Sequence, residues 1–116
     1  MTFNILCVIV YTFTNLRGNC LKISLYRIYF GCKIPNSPWQ VSKTQLLLLL
    51  NSYPEIKGYT LFEAEGYWLG VNEPTFVLEI GLPSPVFGMT IAYDYLLTFN
   101  QQSVMIVMPD NECIFI

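Results

Sequence analysis

Two glutamates, Glu63 and Glu65, stand two residues apart in a stretch that reads as a β-strand, so both carboxylates project from one face of a sheet. Held close together, two such groups would push one pKa up and could divide acid and base roles over a small substrate. Ordinary solvated strand glutamates fit the same spacing. Little else in the chain could assist them. There is no histidine, which removes Ser-His-Asp and Cys-His nucleophilic mechanisms, the HExxH zinc motif and every imidazole base. Cys7, Cys20, Cys32 and Cys113 contain no C-x-x-C pair, so neither a zinc ribbon nor a thioredoxin-like centre is indicated. Four cysteines could form two disulfides in an exported protein; small buried thiols in a reduced, cytoplasmic protein are the simpler expectation. Glu73 and Asp94 are isolated carboxylates, and Asp110-Asn111-Glu112 reads as a turn. No catalytic residue, metal site or cofactor is assigned.

The same strand carries a second kind of signal. Gly66 and Gly70 bracket Tyr67-Trp68-Leu69. Glycines there permit a bulge or a tight hairpin, and they also let a ligand approach the backbone. Aromatic side chains are favoured anchors at binding surfaces. Neither G-x-x-x-x-G-K-[ST] nor G-x-G-x-x-G occurs, so a phosphate cradle is not indicated. The candidate ligand- or partner-binding residues read from the residues themselves are Glu63, Glu65, Gly66, Tyr67, Trp68 and Glu73.

The elements that must position these residues belong to one domain, since 116 residues are too few for two ordinary ones. Apolar residues make up 53% and charged residues 12%, about half the usual charged share. Such a chain folds rather than staying disordered, and it has little charge to coat its surface. An apolar surface covered by another subunit, a partner or a membrane is the expectation, with a homo-oligomer favoured. The net charge of −2 and six thinly spread basic residues argue against nucleic-acid binding, which draws its affinity from clustered Lys and Arg.

Residues 3–13 (FNILCVIVYTF) are apolar but too short for a membrane span, which needs about 20 residues. No Lys or Arg precedes Arg17, so a signal peptide would lack its basic start. Residues 1–20 are read as an apolar extension or extra strand, with an export signal and a start-site artefact as alternatives; residues 21–116 form the domain. Residues 21–34 read as the first strand, with a change of apolar phase near Tyr26 and Arg27 that suggests a bulge. A leucine-rich helix follows, starting at Ser37 with Gln40 or at Ser42 with Gln45. Its five consecutive leucines (46–50) make it apolar nearly all round, so it should pack on the sheet and on something else. Residues 58–70 and 75–82 read as a hairpin around a loop at 70–74. Ser84 with Pro85 can cap a second helix through Phe99, residues 103–108 form a further strand, and 113–116 can add a short terminal one. The order βαββαβ implies an α+β, ferredoxin-like fold: an antiparallel sheet with two helices on one face.

At Gly58, Thr60, Glu63 and Gly66 the spacing G-x-T-x-x-E-x-x-G resembles the corresponding strand of PII-like signalling proteins over about residues 21–108. The resemblance implies a ferredoxin-like trimer with a nucleotide between subunits near Gly58, Thr60 and Gly66. In this chain the long loop between the second and third strands is reduced to residues 70–74, and Tyr67, Trp68 and Leu69 stand where that family has phosphate-holding basic residues. The chain is also similar to small ferredoxin-like proteins with an aromatic residue after the same glycine. The expected function is a non-catalytic binding or regulatory module acting as a homo-oligomer with a small-molecule ligand. The alternatives are a PII-like nucleotide sensor and a small-substrate enzyme using Glu63 or Glu65.

Overall fold

In a computed structural model, residues 23–116 are described; the expectations for residues 1–20 lie outside them. The described residues form β1 (Ser24–Gly31), α1 (Lys43–Leu50), β2 (Tyr59–Trp68), β3 (Val71–Leu82), α2 (Pro85–Thr98), β4 (Met105–Val107) and β5 (Cys113–Phe115). The strands make one antiparallel sheet in the order β2-β3-β1-β4-β5. The fold is therefore α+β, compatible with a ferredoxin-like arrangement, with a fifth strand carrying the sheet beyond β4. Among the described residues no helix is long and apolar enough to cross a membrane.

Alternation along β1 separates two faces. Tyr26, Ile28, Phe30 and Cys32 are buried, while Leu25 is half exposed on the other side. Pairing with β3 runs without interruption from Ser24↔Leu82 to Gly31↔Thr75. The expected bulge near Tyr26 and Arg27 does not form. Tyr26 belongs to the buried set and Ile23 with Leu25 to the open face, so one phase holds throughout. The apolar residues simply occupy both faces of the strand, and periodicity alone could not tell that from a phase change.

The buried set meets Phe76, Leu78, Ile80 and Leu82 of β3 and Ile106 of β4. Both helices close this face, α1 through Leu46 and Leu50 and α2 through Ile91, Ala92 and Tyr95. Of the two possible starts for α1, the second is used. Ser42 Oγ accepts from the Gln45 backbone N–H at 3.2 Å, and Gln45 Oε1 accepts from the Ser42 N–H at 2.8 Å. This reciprocal pair satisfies two donors that a helix start leaves free. Trp39 and Pro38 remain in the preceding segment, which Lys33 and Gln40 pin by an isolated bridge.

The β2–β3 hairpin is longer and tighter than expected. Its strands reach Trp68 and restart at Val71, so the loop is Leu69-Gly70 rather than residues 70–74. Both turn residues have positive φ, 49° and 84°, as a two-residue hairpin turn matched to strand twist requires. Glycine adopts that conformation freely; Leu69 does so against its side chain. Register is continuous from Tyr59↔Ile80 to Trp68↔Val71, so no bulge falls at Gly66.

Candidate functional site

On the sheet face away from the two helices, side chains converge. Directly paired residues share a face, which places Phe62, Ala64, Gly66 and Trp68 of β2 with Tyr29, Thr75, Val77, Met105 and Phe115 on this side. β2 and β5 are opposite edges of the sheet, yet the rings of Trp68 and Phe115 lie 5.7 Å apart. The sheet must coil strongly for that contact to form, as long two-stranded ribbons do. The result is a bowl of about 910 Å³, within the range of small-molecule sites.

Tyr29, Gly31, Thr75 and Val77 line its floor, and Val77 is only 8% exposed. One wall is the hairpin end with Gly66 and Trp68. A second is Met105 and Phe115 with Gln101 and Gln102, and a third is the segment 33–40, where Trp39 stands 74% exposed. Both tryptophans of the chain therefore border the same space. Gln101 is held in place by donating its amide to the Lys33 carbonyl at 2.8 Å. The charged residues of the lining are Lys33, Glu65 and Glu73. Glu73 Oε2 accepts from the Lys33 backbone N–H at 2.9 Å, so that carboxylate already has a structural task.

Two glycines have a spatial reason here. A Cβ on Gly31 would stand 2.6 Å from Glu73 Oε1, and one on Gly66 would collide with the Thr75 hydroxyl. The space at Gly66 is filled by a neighbouring strand's side chain. Beneath the floor, Tyr95 of α2 donates its hydroxyl to the Gly31 carbonyl at 2.6 Å, and its ring packs on Phe30 and Phe99 at 4.5 and 4.9 Å. The helix layer thus braces the end of β1 that carries the bowl. Burial pushes the Tyr95 hydroxyl well above its usual range. Burial first, then the Glu73 charge, raises the Cys32 thiol to about 11, which keeps it a packed thiol rather than a nucleophile.

The residues singled out by sequence are divided by this geometry. Gly66, Trp68, Tyr67, Glu65 and Glu73 border the bowl. Gly58, Thr60 and Glu63 do not; Gly58 has open space where a side chain would be. Glu63 and Glu65 do share a face, opposite Phe76 and Pro74, but both are exposed over a shallow depression with Asn72. Tyr67 and Trp68, adjacent in the strand, point to opposite faces, and Tyr67 is 72% exposed. No group of three or more metal-ligating side chains occurs among the described residues.

Sequence reasoning missed Trp39, Tyr29, Phe115 and Gln101. Trp39 carried a usable signal, a tryptophan in a Pro-Asn-Ser-Pro breaker segment where no core can receive it. Phe115 and Tyr29 become visible only once β5, β4 and β1 are placed side by side. Comparison with known protein families, curated proteins and solved structures finds no match for this chain.

Proposed function

We propose that the protein is a non-catalytic binding module, built on a ferredoxin-like scaffold and working as a homo-oligomer, whose ligand site is the aromatic bowl. The observation that supports this reading is the meeting of Trp68 and Phe115 from opposite sheet edges above Tyr29 and Val77. Curling an exposed sheet face into a concave, aromatic-lined space makes a site that can take most of a small molecule out of water. The lining suits a neutral ligand with a flat apolar face: aromatic rings offer stacking, the amides of Gln40 and Gln102 offer both donors and acceptors, and Gln101, whose amide N–H groups go to the Lys33 and Phe99 carbonyls, offers an acceptor.

A nucleotide sensor of the PII kind has less support. Gly58 and Thr60 lie outside the space that Gly66 borders, and Lys33 is the sole cation in its lining among the described residues. An enzyme using Glu63 or Glu65 has less still, because neither stands in an enclosed setting with a helping group.

Tryptophan emission reads the site directly, since Trp39 and Trp68 both border it. Titration with a panel of neutral heteroaromatic compounds should give a saturable change for at least one, with adenine nucleotides silent at millimolar concentration. Silence across the whole panel would contradict the binding reading, and saturable nucleotide binding would favour the sensor.

A further inference from the structure

The second helix is apolar on two opposite sides. Its buried residues Gly88, Ile91, Ala92 and Tyr95 face the sheet. Val86, Met89, Tyr93 and Leu97 are 67%, 41%, 52% and 60% exposed. At about 100° per residue, these four fall within an arc of roughly 80°, centred about 150° around the helix from the centre of the buried set. A helix apolar all round is one that is covered all round, and among the described residues only the sheet side of α2 is. The stripe carries no carboxylate or cation. Asp94, the one acidic residue of α2, lies off it and accepts a hydrogen bond from the Tyr53 hydroxyl.

We propose that this stripe is the contact between two copies of the chain, packed antiparallel about a two-fold axis near Ile91. The partner is a second copy because the stripe is self-complementary. Antiparallel pairing sets Val86 against Leu97 of the other copy, centred between residues 91 and 92, and Met89 against Tyr93, centred on residue 91. One axis serves both pairs to within about 1 Å at 1.5 Å rise per residue. Each small or flexible side chain then meets a larger one, and the Met–Tyr pairs gain sulfur–aromatic contact. With no charge on the stripe, two copies meet without like-charge conflict, and antiparallel packing sets opposite helix dipoles side by side. The isologous contact closes on itself. The helix layer lies on the far side of the sheet from the bowl, so both bowls stay open in the dimer. This inference rests on the oligomeric part of the function proposed above and adds the surface and its register.

Val86→Lys, Leu97→Glu and the double variant test it by light scattering on a sizing column and by sedimentation. The wild type should run as a dimer at low micromolar concentration. Each single variant should weaken dimerisation about tenfold or more, since it brings an unpaired charge into an apolar contact. In the double variant the lysine introduced at position 86 of each copy meets the glutamate introduced at position 97 of the other. Dimerisation should then recover substantially, and that recovery also shows that the substituted chains fold. A monomeric wild type overturns this inference and the oligomeric reading together. An oligomer untouched by the single variants overturns the stripe alone and leaves the oligomeric reading standing. A double variant no better than the singles overturns the antiparallel register.

Discussion

The two faces of the sheet use the same strands under opposite conditions. On the helix side, Ile28, Phe30, Leu78, Ile80 and Ile106 are at most 1% exposed, and strands and helices together enclose them. On the other side, Phe62, Trp68 and Phe115 remain 42–55% exposed, around a central Arg27–Glu79 pair at 2.6 Å. Alternation decides which face a residue joins, but only a covering layer turns a face into core. The face away from the helices is the one that coils into a bowl. Trp68 and Phe115 there are not surplus core; they are walls of that space, and Phe62 lies outside it.

Truncations on the two faces should separate this contrast most widely. Leu78→Ala removes a wholly buried side chain and should cost about 2–5 kcal/mol in denaturant unfolding. Phe62→Ala, on the open face, should cost about 1 kcal/mol or less. A comparable loss at Phe62 would mean that the open face is covered after all.

Alkaline pH probes the helix-side layer. Burial, and for Tyr53 also the hydrogen bond to Asp94, hold Tyr53 and Tyr95 above their ordinary value of 10.0. Both stay neutral in the fold and ionise freely once it opens. Their contribution to stability is therefore intact below pH 10 and is lost as pH climbs above it. Unfolding midpoints should fall through that range, and Tyr53→Phe should flatten part of the slope.

Gly31→Ala reaches the bowl from its floor. The new Cβ displaces the Glu73 carboxylate from the Lys33 N–H, a loss of about 1 kcal/mol that should also weaken ligand binding. The smallest effect is chemical rather than energetic. At pH 8, iodoacetamide should label exposed Cys113 and spare buried Cys32, as peptide mapping by mass spectrometry would show.

Much of the helix-side face was legible from sequence. Element order and the existence of the hairpin follow from local chemistry that acts within a few residues, whereas Ser37–Gln40 and Ser42–Gln45 offered the same cap and only the structure selects the second. The β2–β3 turn was misplaced because Leu69 occupies a positive-φ position normally given to Asn or Gly, so the usual turn signal pointed one step too far along. The bowl was half legible. Gly66, Trp68 and Glu73 lie on one hairpin and could be found together. Trp39, Tyr29 and Phe115 come from three other segments, and only the coil of the sheet unites them. Gly58 and Thr60 stood out only through a resemblance to the PII-like strand, and a short match along one strand does not fix what lies across from it.

Ligand binding should belong to the bowl and not to the open face in general. The most direct measurement is the affinity of the neutral dye N-phenyl-1-naphthylamine, read by its own emission, for the wild type and for Trp68→Ala, Phe115→Ala and Phe62→Ala. A bowl site requires saturable binding of one dye per chain, weakened about tenfold or more by the first two variants and unchanged by Phe62→Ala. Weak unsaturable binding, or equal loss in all three variants, would place the dye on the open face at large and contradict it.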